Sequence, residues 1–541
     1  MTGTGKPIAA RPLQGLRPFA GLARLLRGRA WHKSSFTGPA PRLPALLPGD
    51  PATAQQLYRG NFAFAGHRLD CRPAEVFAAQ PPSAAWWDDL TSFDWLQHFE
   101  AAGLALYRAF ARTMVTTFAS QRLSTSFPSD CRRLAALSRH AGFLLGGAPE
   151  TFAEEFLAIA GGEAKRLAAQ RPRAAADRLR QSLALLTASL ALRGNPGLRG
   201  ESLARCAVLS AAAILGDGGP ADRNPQSLLA LLAELLPLRE ALETQRIPVP
   251  PGLDAAMARG LKALRLLSHG GRSLAIFQGV DTAQSSAHAA VLARNTGQTP
   301  PQWQAREAGY CRMSQGSATV IVDCGDPVLC DSALAFEFSD GGQRIAGSCG
   351  LPPHASPAWR QAACSAAAHS ALHIEAPVIL ARRSAALPVM AELVASPHGT
   401  LFKGHSALAA AGSGIAYRRD LFLAANGHDL RGEDRFVRAP GYSGEWPDLG
   451  FVIRFHLAPG LRATLDRPDS AVTLVMPDRA VWQVTVRGGD IDLEDSIFLA
   501  TGGGPEPCKQ ITIRSLIGRP ERVNWAFKKL AVTETPARRS F

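Results

Sequence analysis

A chain of 541 residues is too long for one compact domain, so two or three domains are expected. Hydrophobic residues make up 46% of it and charged residues 19%, as in ordinary soluble globular proteins. No apolar run reaches the roughly 18–20 residues that span a bilayer, which argues against a transmembrane helix. The formal net charge is +14, and eight Lys and Arg residues but no Asp or Glu lie in residues 1–49.

This basic N-terminal arm, residues 1–49, has two interpretations. Residues 16–31 could form a short basic amphipathic helix, which suits an anionic membrane surface or polymer. Alternatively, the arm is a solvated lead-in to the first domain. It lacks the apolar core of about 7–15 residues that marks a secretory signal. The sequence therefore favours a cytoplasmic protein, with peripheral membrane contact through residues 1–49 as an option.

The nine cysteines are odd in number, form no Cys-x-x-Cys pair, and lie mostly among apolar residues. This pattern predicts reduced, buried thiols, as in a cytoplasmic protein. The chain shows no zinc finger, no RNA-binding signature and no tract of interleaved basic and aromatic residues. Binding to nucleic acid is therefore not expected.

Helical periodicity dominates the first half of the chain, after a Pro- and Gly-rich linker at residues 36–54. Alternation over residues 61–77 predicts a small β element before the helices. Ser92 has the chemistry of a helix N-cap. Six helices are predicted between Gly and Pro breaks, at residues 134–145, 149–169, 174–192, 202–215, 227–244 and 253–267. Their succession predicts a toroid or solenoid of paired helices rather than a four-helix bundle.

From residue 308 to residue 532 the pattern changes to short segments that alternate apolar and polar residues. Turn signals such as Asn426-Gly427 separate these segments, and Glu433-Asp434 is also expected in a turn. The expected fold class is α+β multidomain, with an N-terminal (α/α) toroid followed by a C-terminal antiparallel β-sandwich. The expected domains are a basic arm and linker at 1–54, the toroid at 55–300, the sandwich at 301–535 and a tail at 536–541.

Residues 309–350 combine strand, hairpin and strand patterns in an informative order. Residues 334–338 alternate at period 2, and Ser339 to Gly342 has the chemistry of a hairpin turn. A Trp-Arg…His-Ser segment follows at residues 359–370. In this order the segments resemble the opening of the C-terminal β domain of the heparinase II/III-like family.

The resemblance extends over most of residues 55–535. It includes Arg139-His140 and residues 218–225 in the helical part, and residues 432–434 and 453–457 in the β part. The family fold is an (α/α) toroid joined to a β-sandwich, and its characterised members are lyases of uronic-acid polymers such as heparin or heparan sulfate. The resemblance therefore implies a polysaccharide lyase that cleaves an acidic polysaccharide by β-elimination.

Such a reaction needs a base for the C5 proton, donors or cations that neutralise the uronate, and an acid for the leaving oxygen. Tyr and His usually fill the acid and base roles in such folds, from reference pKa values of about 10 and 6.5. By resemblance the catalytic candidates are His140, His369 and Tyr310. The chain has no Tyr between Tyr107 and Tyr310, where the family's toroid Tyr would be expected.

The substrate-binding candidates are Arg139, Arg360 and Trp87. Arg139 stands where the family motif has an amide, and an Arg can also bind a carboxylate. The alternative to a lyase is a non-catalytic relative that binds an anionic polysaccharide or the envelope surface, which suits the overall basic charge.

Family members often hold a structural divalent metal in the β domain through His and Asp side chains. Only His369 matches a ligand position, because the others fall near Cys330-Asp331 and Ser348-Cys349. The ligand set is therefore incomplete, and no cofactor is predicted. Cys330, Cys349 and His369 are either a soft zinc site or small buried side chains.

Overall fold

The structure is a computed structural model. It describes residues 36–121, 123–270, 273–283, 285–294, 302–326, 328–375, 390–407, 415–438 and 444–530. Residues 1–35 of the predicted basic arm and the predicted tail at 536–541 lie outside these ranges. Within these ranges, no helix is long and apolar enough to cross a membrane.

The first half of the described chain is helical, and its helices begin where the sequence offers caps. Asn195 and Asn224 accept hydrogen bonds from the first turns of two long helices, and each is followed by Pro at the first helical position. In chain order the helices are α1 Pro51–Tyr58, α2 Ala84–Ser92, α3 Leu96–Ala102, α4 Ala105–Ser120, α5 Phe127–Arg139, α6 Ala141–Leu145, α7 Glu150–Ala169, α8 Ala175–Ala191, α9 Pro196–Ala213, α10 Pro225–Thr244, α11 Pro251–Leu266, α12 Ser286–Ala293 and α13 Pro357–Ala363.

The strands are concentrated in the second half. In chain order they are β1 Gly38–Pro39, β2 Asn61–Phe64, β3 His67–Asp70, β4 Leu192–Arg193, β5 Ser268–His269, β6 Ser273–Leu274, β7 Gln302–Ala305, β8 Tyr310–Gln315, β9 Ala318–Asp323, β10 Phe336–Asp340, β11 Gln343–Gly347, β12 Leu372–Glu375, β13 Met390–Ser396, β14 Gly399–Ala407, β15 Ile415–Ala424, β16 Asp429–Arg438, β17 Gly450–Leu457, β18 Arg462–Asp466, β19 Ala471–Val475, β20 Val481–Arg487, β21 Asp490–Phe498, β22 Glu506–Leu516 and β23 Arg522–Leu530.

Two antiparallel sheets face each other in the C-terminal domain. One has the order β21-β22-β17-β11-β10-β9-β8-β7, with β12 also paired to β17, and the other has the order β13-β14-β15-β16-β23-β20-β19-β18. Aromatic side chains from both sheets fill the space between them: Phe336 stacks on Trp525 at 5.2 Å, and Phe455 meets the same ring at 4.7 Å. The expected fold class, a helical domain followed by an antiparallel β-sandwich, is confirmed.

The segment that precedes α1 belongs to the surface of the helical domain. Strand β1 pairs with β4, directly after α8. Phe36 and Leu43, on either side of β1, are both buried against the helices. These apolar anchors tie residues 36–49 to the helical body.

The hairpin turn predicted at Ser339 to Gly342 is present, whereas the helix N-cap predicted at Ser92 is not. Gly341 and Gly342, both at positive φ, connect β10 to β11 as the sequence indicates. Ser92, predicted as an N-cap, instead ends α2, and Phe93 follows it in the left-handed region. The next helix begins only at Leu96, so the N-cap prediction was wrong. The Ser92 hydroxyl donates to the Asp89 carbonyl and accepts from the Asp94 amide, which are the bonds of a helix end.

A buried polar junction joins the two domains. The Arg223 guanidinium, from the loop before α10, donates to the Ala308 carbonyl at 2.9 Å and binds the Asp323 carboxylate at the end of β9. Gln278 donates to the same carboxylate at 3.0 Å and accepts from the Leu329 amide at 2.9 Å. Because these groups are withdrawn from water, their bonds hold the helical domain against the sandwich.

Candidate functional site

His140 lies at the short break between α5 and α6, where it is almost buried. Its Nδ1 lies 2.6 Å from the Glu100 carboxylate, and Arg42 reaches the other oxygen of Glu100 at 3.3 Å. Burial raises the pKa of Glu100, but the hydrogen bond and charge of His140, together with Arg42, outweigh it and hold that pKa below its usual value. The imidazole thus already has a carboxylate partner within the protein.

Arg139, the residue before His140, lines a cavity of about 710 Å³ between α5, α8, α9 and α10. Its Nη2 donates to Glu234 at 3.1 Å, and the neighbouring Arg132 donates to Asp94 at 2.6 Å. Three cationic and three anionic side chains line the cavity, and their formal charges cancel: Arg132, Arg139, Arg180, Asp94, Asp222 and Glu234. The described lining therefore offers a polyanion no net attraction.

Tyr310 begins β8 and is fully buried. Its hydroxyl donates to the Arg223 carbonyl, and its ring packs between the Arg223 guanidinium and Phe277. Burial raises the pKa of Tyr310 well above the ordinary value. The hydroxyl is thus a bonded part of the domain junction.

His369 lies just before β12 and is 2% exposed. Its Nδ1 lies 2.9 Å from the Ser348 hydroxyl, and its Nε2 has no hydrogen-bond partner among the described residues. Burial lowers the pKa of His369 to about 4, so the ring is neutral at pH 7. Nearby His456 lies between the Ala367 carbonyl, at 2.9 Å, and the Ser496 hydroxyl, at 2.8 Å.

The two remaining candidates, Trp87 and Arg360, are both accessible to solvent. Trp87 of α2 is half-buried, and its Nε1 donates to the Ser124 carbonyl at 2.9 Å. Arg360 of α13 is exposed. In the part of the chain that the structure describes, no two of the six predicted site residues are hydrogen-bonded to each other. Their assigned roles stay predictions.

The predicted thiol chemistry needs one correction. A disulfide joins Cys330 to Cys364, so the prediction of nine reduced thiols was wrong for this pair. The two cysteines are 34 residues apart, and neither lies in a recognisable Cys motif, so only the tertiary fold brings them together. Burial raises the pKa of Cys349 to about 12, which keeps that thiol protonated.

The residues of the β domain do not fit the metal that the family resemblance implies. Cys330 is bonded to Cys364 and has no thiolate to offer. The Cys349 thiol is 3.4 Å from the Nδ1 of His456. In the part of the chain that the structure describes, no group of three or more His, Cys, Asp or Glu side chains is placed to hold a metal ion.

One buried cluster was not singled out from the sequence. His269 lies 2.8 Å from Glu337 through Nε2 and 2.8 Å from Ser339 through Nδ1. Glu337 also accepts from the Ile276 amide at 2.6 Å and pairs with Arg344. The alternation at residues 334–338 places Glu337 on the polar side of its strand, but that side is covered by the helical domain. The cluster is therefore a second polar junction between the domains.

Known proteins share this fold and part of this sequence. Residues 297–526 match the family model described as heparinase II/III-like, C-terminal. The crystal structure of heparinase III superposes with a TM-score of 0.72 at 11% identity, covering 94% of this chain and 88% of that one. Heparan sulfate lyase HepC from Pedobacter heparinus gives a TM-score of 0.61 at 12% identity, covering 91% and 85%.

A further relative is similar along most of its length. FtsZ-localized protein C of Caulobacter vibrioides is 28% identical over 522 residues, which cover 89% of this chain and 88% of that protein. The solved lyases are only 11–12% identical to this chain, so the comparison with them establishes a shared fold and nothing about activity. That fold extends from the first helices to the last strands. Residues 297–526 thus carry a heparinase II/III-like C-terminal domain.

Proposed function

We propose that this protein is a non-catalytic member of the heparinase II/III-like family that works by binding and localises with FtsZ. The observation that carries the non-catalytic part is the state of the candidate acid–base groups. His140 is bound to Glu100, and Tyr310 and His369 are buried in the β domain with pKa values shifted towards their neutral forms. β-Elimination requires acid and base groups that reach one sugar ring.

The cavity between α5, α8, α9 and α10 has a balanced charge, which supports the same conclusion. A uronate must be neutralised before its C5 proton can leave, and that requires cations or donors free to bind it. Arg139 and Arg132 are instead paired with Glu234 and Asp94. A uronate that enters the cavity would have to displace these carboxylates.

The localisation part rests on the relative named FtsZ-localized protein C, which aligns with nearly nine-tenths of this chain. Similarity over both domains supports a shared use of the whole molecule rather than of one module. The test is imaging of a fluorescent fusion of the full chain together with FtsZ, paired with co-sedimentation of the purified protein with polymerised FtsZ. Diffuse fluorescence and no co-sedimentation would contradict this part of the proposal.

The basic arm extends the proposal to an anionic membrane surface. Eight cations without an acidic residue in residues 1–49 favour such a surface by electrostatic attraction. Because residues 36–49 pack on the helical body, the informative deletion removes residues 1–35 only. We expect the full chain to sediment with vesicles containing phosphatidylglycerol and not with neutral vesicles, and the truncated chain to sediment with neither. Equal sedimentation of both chains would contradict the role of the arm.

A lyase remains the second candidate, because the fold matches heparinase III over 94% of the chain. β-Elimination creates a conjugated, unsaturated uronate, so ultraviolet absorbance reports turnover on a panel of uronate-containing polymers. The proposal predicts a flat trace from folded protein, with an active heparinase as the positive control. A rise that disappears in both His140→Ala and His369→Ala would overturn the non-catalytic assignment.

A further inference from the structure

The turn from α3 into α4 is an exposed apolar stretch of the helical domain, formed by residues 101–106 and called the α4 tip below. All six residues are Ala, Gly or Leu. Leu104 is 52% exposed and Leu106 is 56% exposed. Two large aliphatic side chains beside small uncharged neighbours form a patch, whereas single apolar residues scattered over a surface are ordinary. The α4 tip is therefore a candidate for contact with something apolar.

Two arginines follow the α4 tip on the same helix. Arg108 donates from Nη1 to the Gly146 carbonyl at 3.1 Å, and Arg112 donates from Nη2 to the same oxygen at 2.8 Å. Among the described residues, neither guanidinium has a carboxylate partner, and Nη2 of Arg108 and Nη1 of Arg112 have no acceptor. Neither of these two nitrogens is buried, so both are open to an anion from outside. Burial, together with the charge of Arg108, lowers the pKa of Arg112, as expected for two cations held side by side.

The basic arm starts from an element that neighbours these arginines. Seven of the eight cations in residues 1–49 precede residue 36. Strand β1 packs on α6, and the two arginines hold the carbonyls at the end of α6. Residues 141–149, which include α6, carry no charged side chain, and Glu150 after them forms no ion pair with either arginine among the described residues. Unpaired cations thus adjoin both the α4 tip and the start of the arm.

From these observations we infer that the α4 tip is a second membrane contact: its two leucines enter the acyl-chain boundary of an anionic bilayer, and Arg108 and Arg112 bind lipid phosphates. The dimensions agree, because Arg108 follows Leu104 by about 6 Å of helix, and apolar groups at an interface enter by about 5–10 Å. This inference rests on the proposed contact of the basic arm with a membrane. One weak contact binds reversibly, whereas two on the same chain reinforce each other.

The test is the partition coefficient of the full-length protein on vesicles containing phosphatidylglycerol, measured by sedimentation over a series of lipid concentrations. We expect Leu104→Ser/Leu106→Ser to lower it at least about ten-fold, because two aliphatic side chains no longer leave water on binding. Val208→Ser/Val394→Ser is the matched control and should bind like wild type, since these side chains are exposed on α9 and β13. Equal partitioning of wild type and the tip variant would overturn the inference.

Arg108→Gln tests the phosphate contact separately. We expect it to weaken partitioning about five-fold, and Arg173→Gln, which removes an exposed cation before α8, to stay within about two-fold of wild type. Arg112 still holds the Gly146 carbonyl in this variant, and a melting curve checks that the fold is retained. Equal losses from both substitutions would reduce the effect to net charge and overturn the assigned contact. Release of the protein by millimolar inorganic phosphate at constant ionic strength would also overturn it, because the arginines would then bind free phosphate.

Deletion of residues 1–35 separates this inference from the proposed role of the arm. Binding that is lost on deletion but normal in the tip variant would overturn the α4 tip alone and leave the arm in place. Binding that survives deletion but is lost in the tip variant would support the α4 tip and contradict the arm. Wild-type protein that does not bind phosphatidylglycerol vesicles at all would overturn both.

Discussion

The Arg419 guanidinium is fully buried in the β-sandwich and forms a two-point contact with Asp434. Its Nε donates to one carboxylate oxygen at 2.7 Å and its Nη2 to the other at 3.1 Å. The indole of Trp525 donates to the same carboxylate at 2.7 Å, and Arg419 also donates to the Leu334 and Ser370 carbonyls. Each polar group is thereby satisfied, which is the condition for a buried ion pair to be tolerated.

Removing Asp434 should be among the most damaging single changes in the sandwich. We expect Asp434→Ala to lower the free energy of unfolding by about 3–5 kcal/mol, because Arg419 would keep its charge without a partner. Guanidinium chloride unfolding measures this change. Glu433→Ala is the control: its quarter-exposed carboxylate pairs with Arg522, and its loss should cost no more than about 1 kcal/mol. Similar costs at the two positions would contradict this account.

The Glu100–His140 pair predicts a pH dependence of stability. Glu100 is held below its usual pKa in the folded protein, so its stabilising contribution is present above the unfolded pKa of about 4.3 and is lost as the pH falls through the folded pKa. We expect Glu100→Gln to cost about 1–3 kcal/mol at pH 7, and the difference from wild type to shrink below about pH 4.

Urea unfolding at pH 7 and pH 3.5 measures this effect. Glu155→Gln, an exposed carboxylate on α7, serves as the control and should change little at either pH. A cost of Glu100→Gln that is the same at both values would show that the ion pair is not its source.

Two hairpin turns contribute differently to the elements that they connect. Gly341 and Gly427 both have positive φ, of 56° and 72°. A Cβ at Gly341 would have nothing within 4 Å, whereas a Cβ at Gly427 would lie 2.2 Å from the Gln315 carbonyl oxygen. The turn at Gly427 therefore packs tightly against the β8–β9 turn of the facing sheet, in addition to closing its own hairpin.

This difference predicts unequal costs for the same substitution. Gly341→Ala should cost about 1 kcal/mol, from the left-handed backbone alone. Gly427→Ala should cost a further 1–3 kcal/mol or so, because the backbone of a neighbouring turn must move. Thermal unfolding of both variants measures the difference. Equal melting temperatures would mean that the two turns do not pack as closely as described.

For the molecule as a whole, two buried polar junctions tie the helical domain to the sandwich. Arg223 binds Asp323 across the boundary, and His269 binds Glu337 at a second point. Both pairs are almost fully buried, so opening the boundary would expose charges only by breaking several hydrogen bonds together. This arrangement favours a rigid relation between the toroid and the sandwich.

Breaking one junction should therefore uncouple the domains. We expect Arg223→Met to lower the free energy of unfolding by about 3–5 kcal/mol and to split the calorimetric transition into two, because Asp323 loses its charged partner. Lys262→Met, which removes an exposed cation from α11, is the control and should melt like wild type. A single, unshifted transition in Arg223→Met would contradict the role of this junction.

The chain's periodicity predicted several of the helices but missed α4, and the helix predicted at residues 134–145 is divided between α5 and α6. Helix α7 was predicted at residues 149–169 and occurs at Glu150–Ala169, because a long amphipathic pattern bounded by Pro and Gln leaves little choice. Ser92 was misassigned, because a Ser hydroxyl can bond to either end of a helix. The prediction that Asp434 lies in a turn was also wrong: it lies within β16. Its polar character reflects a buried partner rather than solvent.

The sequence by itself determined that a helical part precedes a β part, the turns at Gly341-Gly342 and Asn426-Gly427, and the family resemblance, because these depend on residues close together in the chain. Only the tertiary structure decided which polar side chains are available for chemistry. Glu100 is 40 residues from His140, and Arg223 supplies its carbonyl to Tyr310 from 87 residues away. Partners at such separations leave no local pattern, so burial and pairing of the candidate site could be known only from the folded chain.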